Sequence, residues 1–312
     1  MKQIMVILSA VLVLPAVAQV KWTRVDSTFG KLPEGFHVYK TTDSLDNKPF
    51  IAFYAEAVLK EKKLSFTADT TFKRRLTPQQ FFEKNQQPLL VVNCTFFNFD
   101  KNQNLNAVIK DGRLVSYNVH TIAARGKDTF TYRHPVGSAI GISKKRKADV
   151  AWLFADTGFK KPYYFEVPVT VERDSFTSIR HRNYKALTGN RWKMKTAVGG
   201  GPVVLQNGEI KISNEEELKF SGKNGLTDKH PRTCMGYTAD GRLIIMVIQG
   251  RSADAAGATL VQEAQLLKDV GCVEALNLDG GGSSCMLING KPTIKVSDKE
   301  GQRPVPAVFI VY

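Results

Sequence analysis

The sequence predicts an α+β protein: a mainly β single domain with a few packed helices and a polar N-terminal wrap. Three observations carry that reading. Short apolar or alternating runs recur from Phe50 onward, the pattern of strands with one or both faces buried. Helix-start chemistry stands out at two places, Thr77 and Thr259. Between runs, Asp111-Gly112 and Asp240-Gly241 supply the dipeptide that hairpin turns favour.

Taken in order, residues 50–55 and 63–67 read as a pair of strands. Thr77-Pro78-Gln79-Gln80 offers an N-cap, a first-turn proline and a glutamine able to close a capping box. Pro88 ends that helix, and residues 89–92 begin a buried strand. Further strands are expected over 107–110, 114–117, 139–143, 150–154, 167–171 and 203–205. Lys144-Lys145-Arg146-Lys147 is the densest basic run and reads as a solvated hairpin turn. A second helix is expected from Thr259 to about Asp269, with Gln262 completing its capping box and Gly271 as C-cap. Strand, helix and strand thus follow one another from Leu243 to Leu278. Residues 19–48 are polar and are expected to wrap the main domain.

Composition narrows the class. A chain of 312 residues, 43% hydrophobic and 23% charged, suits one large globular domain or two small ones. Met1-Lys2-Gln3, the apolar stretch 4–17 and the small residues Ala16-Val17-Ala18 form a secretory signal peptide over 1–18, cleaved after Ala18. That stretch is too short to span a bilayer, so an exported protein, periplasmic or extracellular and without stable membrane insertion, is expected. A formal net charge of +15 favours anionic partners such as phosphorylated glycans. No nucleic-acid-binding motif accompanies the charge, so nucleic acid is not expected as a partner. Cys94, Cys234, Cys272 and Cys285 allow three full pairings, but three of them sit in or beside apolar runs, which favours free, buried thiols. The five histidines are scattered, with no cysteine–histidine zinc spacing, and neither a metal nor a cofactor is expected.

The chemistry is expected where strands end in small or polar residues. Asn277-Leu278-Asp279-Gly280-Gly281-Gly282-Ser283-Ser284 puts a carboxylate at a strand end, followed by three glycines and two serines. Glycines without Cβ let a backbone turn tightly against a ligand. Asn93-Cys94-Thr95-Phe96-Phe97-Asn98 leaves another strand with two amides, a hydroxyl and two aromatics. Gly199-Gly200-Gly201-Pro202 is a second triple-glycine turn, and His230-Pro231-Arg232-Thr233 and Gln249-Gly250-Arg251-Ser252 each bring a guanidinium.

Together these segments resemble the phosphodiester glycosidases, the family typified by the mammalian mannose 6-phosphate uncovering enzyme. The likeness covers roughly residues 50–312 and is most specific from Arg232 to Met286; the tail Arg303-Pro304-Val305-Pro306 matches the family's closing Arg-x-Val element. With the signal peptide (1–18) and the N-terminal segment (19–48) read from the residues, the resemblance implies a phosphodiester glycosidase domain over 49–312. It implies hydrolysis of an N-acetylglucosamine-type sugar-1-phosphodiester at the anomeric carbon–oxygen bond, through an oxocarbenium-like transition state. The alternatives are a non-catalytic exported glycan-binding protein, or a hydrolase of phosphodiester-containing surface polymers. On the resemblance, Asp279 is the carboxylate at the anomeric carbon, as nucleophile or as base for water, and Arg232 and Arg251 bind phosphate oxygens. Asn93 and Thr95 orient the carboxylate or the sugar, and Phe96 walls the pocket. The turns at Gly200-Gly201 and Gly280-Gly281, with Ser283, complete the substrate-binding set by adding N–H donors. Glu56, Asp254, Asp298 and Glu300 stand as possible second carboxylates. One departure from the family is Gln249, where members usually carry aspartate. If that aspartate orients Arg251, Gln249→Asp is expected to raise activity.

Overall fold

The computed structural model describes residues 20–155, 158, 160–177, 190–221 and 225–312. The expected signal peptide over 1–18 lies outside the described residues. Among the described residues, three large antiparallel sheets share one core. The first has eight strands in the order Thr23–Arg24, Phe36–Thr41, Ala52–Val58, Arg242–Ile248, Arg232–Thr238, Cys272–Asn277, Val203–Gln206 and Glu209–Ile210. The second has five: Lys291–Pro292, Met286–Ile288, Leu90–Asn93, Ala307–Val311 and Phe66–Thr70. The third has six: Arg113–Ser116, Val108–Lys110, Met194–Gly199, Gly137–Ser143, Ala148–Phe154 and Tyr163–Phe165.

The strands read as continuous apolar runs because both faces are covered. In Arg242–Ile248, Leu243, Ile245 and Val247 face the common core, and Ile244, Met246 and Ile248 face a second core on the other side. That second core is closed by the helix Leu260–Asp269, whose Leu260, Ala264, Leu266 and Leu267 pack into it. The helix Pro78–Lys84 covers the five-stranded sheet through Phe81 and Phe82. Both helices start in complete capping boxes, at Thr77 with Gln80 and at Thr259 with Gln262. The hairpin turns at Asp111-Gly112 and Asp240-Gly241 join neighbouring strands.

Four readings are refined. Residues 50–55 and 63–67 yield strands in different sheets: Ala52–Val58 pairs with Arg242–Ile248, and Phe66–Thr70 pairs with Ala307–Val311. No strand covers 167–171; Tyr163–Phe165 and Glu172–Asp174 flank it. Pro168 lacks the N–H a ladder needs, and Val167 is exposed. The segment before residue 49 does more than wrap, because Phe36–Thr41 joins the eight-stranded sheet and buries Phe36 and Val38 in the common core. Within the basic turn, Arg146 is a clamp, donating to the carbonyls of Leu59, Glu61 and Leu64 at 2.7–2.9 Å. All four cysteines are free and buried. Among the described residues, no helix is long and apolar enough to cross a membrane.

Candidate active site

Antiparallel register gathers the expected segments at one edge. Arg232 pairs with Ile248, so the start of one strand and the exit of its neighbour, leading to Gln249 and Arg251, lie side by side. Cys234 pairs with Asn277, which brings the Asp279 loop to the same place. The five-stranded sheet then delivers Asn93: the Asp279 amide donates to the Cys94 carbonyl at 2.8 Å. Asn93 is fully buried and knots these ends together. Its Nδ2 donates to the Asp279 carbonyl at 2.6 Å, and its Oδ1 accepts from Thr233 Oγ1 (2.9 Å) and from the Cys285 amide (3.0 Å). Asn93 therefore positions the backbone of the Asp279 loop.

Asp279 Oδ2 is buried without a hydrogen-bond partner, as are the hydroxyls of Thr95, Ser283 and Ser284. Buried polar atoms are ordinarily satisfied, so such a cluster marks a place built for a ligand or ordered water. Burial pushes the Asp279 carboxyl up to about 7; the nearby Ser283 hydroxyl, the Arg303 charge and the Gly280 amide oppose that rise. The carboxyl is thereby poised to change charge near neutrality.

Two guanidinium groups lie over the glycine loop. A side chain on Gly281 would touch the Arg251 guanidinium at 3.3 Å, and one on Gly282 would overlap that of Arg303. The Arg303 approach leaves no room for a Cβ on Gly282, and Gly281 adopts a φ of 61° that suits glycine. Arg251 is exposed, with Nη2 3.3 Å from His230 Nδ1. The His230 pKa is lowered by burial and by the charges of Arg232 and Arg251. Arg303 is held by Asp298 Oδ2 at 2.7 Å and lies over the exposed ring of Phe99.

Arg232 is placed differently. Strand alternation turns Thr233 toward Asn93 and Arg232 to the opposite face. There its Nε donates to the Ala258 carbonyl at 3.0 Å and its Nη2 to the Asp228 carbonyl at 3.2 Å, with Glu263 3.9 Å from Nε. Glu263 is fully buried, and burial pushes its carboxyl up to about 8 against the pull of Arg232. The Arg232 guanidinium thus bonds on the helix side of the sheet, where it also lies 5.5 Å from the ring of Phe220, which packs edge-on against Phe96. Gly199, Gly200 and Gly201 do not offer free donors either: their amides donate to the carbonyls of Ala107, Ser138 and Asn277. What Gly200 and Gly201 provide is closeness. A Cβ on Gly200 would meet the Asn277 carbonyl and Leu278, and one on Gly201 would overlap Glu217 Oε2. The Gly281 amide is likewise spent, on the Pro231 carbonyl at 2.8 Å.

Of the possible second carboxylates, Asp298 pairs with Arg303, Glu56 pairs with Arg242 at 2.6 Å, and Asp254 and Glu300 are exposed. Gln249 is buried and its Oε1 accepts the Lys295 amide at 2.9 Å, so its side chain fastens another segment. Arg303 and Ser284 were not expected in the site from residue chemistry; the Arg-x-Val tail was the one signal for Arg303. Glu217 has no motif around it in the sequence that marks it. In the structure Glu217 is buried and accepts from five donors: the Ser138 amide and hydroxyl, Trp152 Nε1, the Val203 amide and Ser213 Oγ.

Residues 86–312 match the family model described as phosphodiester glycosidase. The SPbeta prophage-derived uncharacterized protein YomE of Bacillus subtilis is 38% identical over 103 residues, covering 33% of this chain and 16% of its own length. N-acetylglucosamine-1-phosphodiester alpha-N-acetylglucosaminidase of Mus musculus is 30% identical over 94 residues, covering 28% of this chain and 18% of its own. The chain therefore spans less than a fifth of these curated relatives. The zebrafish N-acetylglucosamine-1-phosphodiester alpha-N-acetylglucosaminidase catalytic domain, auto-inhibited by its pro-peptide, superposes with a TM-score of 0.60 at 19% identity. That match covers 94% of this chain and 88% of the solved one, and it shows a shared fold.

Proposed function

This chain belongs to the phosphodiester glycosidase family, and from that premise we propose that it is an exported hydrolase of N-acetylglucosamine-type sugar-1-phosphodiesters. The observation that supports this reading best is Asp279: a carboxyl with its Oδ2 buried, raised to about 7, beside the hydroxyls of Thr95, Ser283 and Ser284 and beneath a loop crossed by Arg251 and Arg303. Water adds its hydroxyl to the anomeric carbon as the bond from that carbon to the phosphate oxygen breaks, and its remaining proton goes to the departing phosphate or to solvent. The bonding pair leaves on phosphate, and the products are the free sugar and a phosphate monoester. A phosphate monoester has a second pKa near 6, so it departs without a strong general acid. What the site must supply is cationic stabilisation of the growing phosphate charge and an ionised carboxylate at the anomeric carbon.

Arg251 and Arg303 fit the first need, since guanidinium forks pair with phosphate oxygens. Ionised Asp279 fits the second, as nucleophile or as base for water. Asn93 holds the Asp279 backbone in place, and Thr95, Ser283 and Ser284 offer hydroxyls to sugar or phosphate. Arg232 supports the fold behind this group. The secretory features of residues 1–18 and the net charge of +15 support export toward anionic glycans.

Incubating the purified protein with methyl and p-nitrophenyl phosphodiesters of N-acetylglucosamine-1-phosphate, with and without chelator, tests the reading. Free sugar and phosphate monoester should appear in equal amounts, and Asp279→Asn should lose most of that turnover while staying folded. Binding of the diesters with no turnover would identify a glycan-binding protein instead.

A further inference from the structure

Beside the proposed site lies a cavity of about 350 Å³ whose walls include Phe96, Leu105, Val119, Ile122, Pro135 and Lys219. Of the residues expected in the site from sequence, Phe96 alone lines it. The Gly200-Gly201 turn borders both. On one side the Gly201 amide donates to the Asn277 carbonyl at the root of the Asp279 loop. On the other, Gly201 packs so closely against Lys219 and Glu217 that a Cβ would stand 2.5 Å from Lys219 Cε.

The polar side chains at the cavity wall are already spent. Asn106 accepts the Phe96 amide and donates to the Gly200 carbonyl; Asn118 accepts the Ala107 amide and donates to the carbonyls of Gly137 and Leu153. Glu217 is saturated by its five donors. Lys219 differs. Its Nζ lies 5.3 Å from the Phe96 ring centroid, with no acceptor in hydrogen-bonding range among the described residues. Burial pushes its pKa down and the Glu217 charge opposes that. A largely apolar hollow with one unbonded cation at the wall suits an amphiphile: an anion at the ammonium and a hydrocarbon beyond it.

We propose that this cavity is the aglycone subsite, taking an alkyl chain esterified to the phosphate, with Lys219 meeting a phosphate oxygen at its entrance. The proposal rests on the hydrolase reading for the identity of the phosphate, and it narrows the substrate class to sugar-1-phosphodiesters of apolar alcohols. Hydrocarbon entering such a pocket leaves water, which is worth about fourfold in affinity per fully buried methylene.

Calorimetric titration of the protein with methyl phosphate and with hexyl phosphate tests the subsite without turnover. Hexyl phosphate should bind at least tenfold more tightly. Val119→Trp, which fills the hollow from a partly exposed position, should abolish that difference and keep methyl phosphate affinity within twofold. Lys219→Met should weaken both ligands by a similar factor, about tenfold. Equal affinity of the two phosphates for the unmodified protein would overturn the proposal, as would a chain-length preference retained in a folded Val119→Trp variant. Unchanged methyl phosphate affinity in Lys219→Met would remove Lys219 from it. If sugar-1-phosphodiesters are not cleaved but hexyl phosphate is preferred, the subsite stands and the hydrolase reading falls. If diesters are cleaved at rates independent of alkyl chain length, the hydrolase reading stands and the subsite falls.

Discussion

Arg303 lays its guanidinium in the volume that a Cβ on Gly282 would occupy. The φ of Gly282 is not among the positive values of the chain, so alanine there meets no backbone penalty, only the arginine. Gly282→Ala is therefore expected to displace Arg303 while leaving melting temperature within a few degrees. Misplacing a phosphate-binding cation by about 1 Å costs on the order of a hundredfold in rate. A loss of that size in kcat/KM, with unchanged near-neutral stability, is the expected result.

The reaction should gain speed with pH. If Asp279 acts ionised, as proposed, with its carboxyl raised to about 7, kcat/KM should climb through that region and level off above it. Arg303 is one of the groups that hold this value down. Arg303→Gln should move the midpoint of the limb to higher pH as well as lowering its plateau. A limb that falls above pH 7 would instead make Asp279 a proton donor.

Stability should run the other way. The native state keeps a proton on Asp279 that the unfolded chain, with its carboxyl near 3.8, releases. Between about pH 4 and 7 the native state thus binds more protons, and stability falls as pH rises through that window. Asp279→Asn removes the charge that burial disfavours. It should be more stable than the unmodified protein at pH 8, on the order of 2 kcal/mol after allowance for solvent screening. The two should converge near pH 4, as denaturant titrations at both pH values would show.

Glu217 holds Ser138, Trp152, Val203 and Ser213 through its two carboxylate oxygens. Glu217→Gln turns one acceptor into a donor facing donors. A loss of about 2–4 kcal/mol in unfolding free energy is expected, because buried groups left unmatched carry their full desolvation cost. Urea titration measures it.

Gln249→Asp now has a definite expectation. The shorter side chain withdraws the acceptor from the Lys295 amide and adds a charge to a buried position. Melting temperature should fall without a gain in kcat/KM. A rise in kcat/KM would restore the reading in which an aspartate orients Arg251.

Local chemistry explains what was legible beforehand. Capping boxes at Thr77 and Thr259 and the Asp-Gly turns are written in neighbouring residues, and they appear where expected. The Asp279 and Asn93 loops could be seen because each ends an apolar run. Arg232 shows the limit. Its charge was visible, but its direction follows from period-two alternation against Thr233, which faces Asn93. Glu217 and Lys219 gain their surroundings from strands many positions away, and no local pattern carries that information.

The strand Ala307–Val311 lies between Leu90–Asn93 and Phe66–Thr70, with Val308 opposite Asn93. Asn93 in turn steadies Asp279. A ribosome making this chain from its N-terminus therefore supplies Asn93 long before the partner that seats its strand, and such distant pairings form slowly. The backbone knot around the Asp279 loop is therefore completed only when residues 307–311 have joined the sheet, so the loop nearest the middle of the site depends on one of the most sequence-distant pairings in the fold.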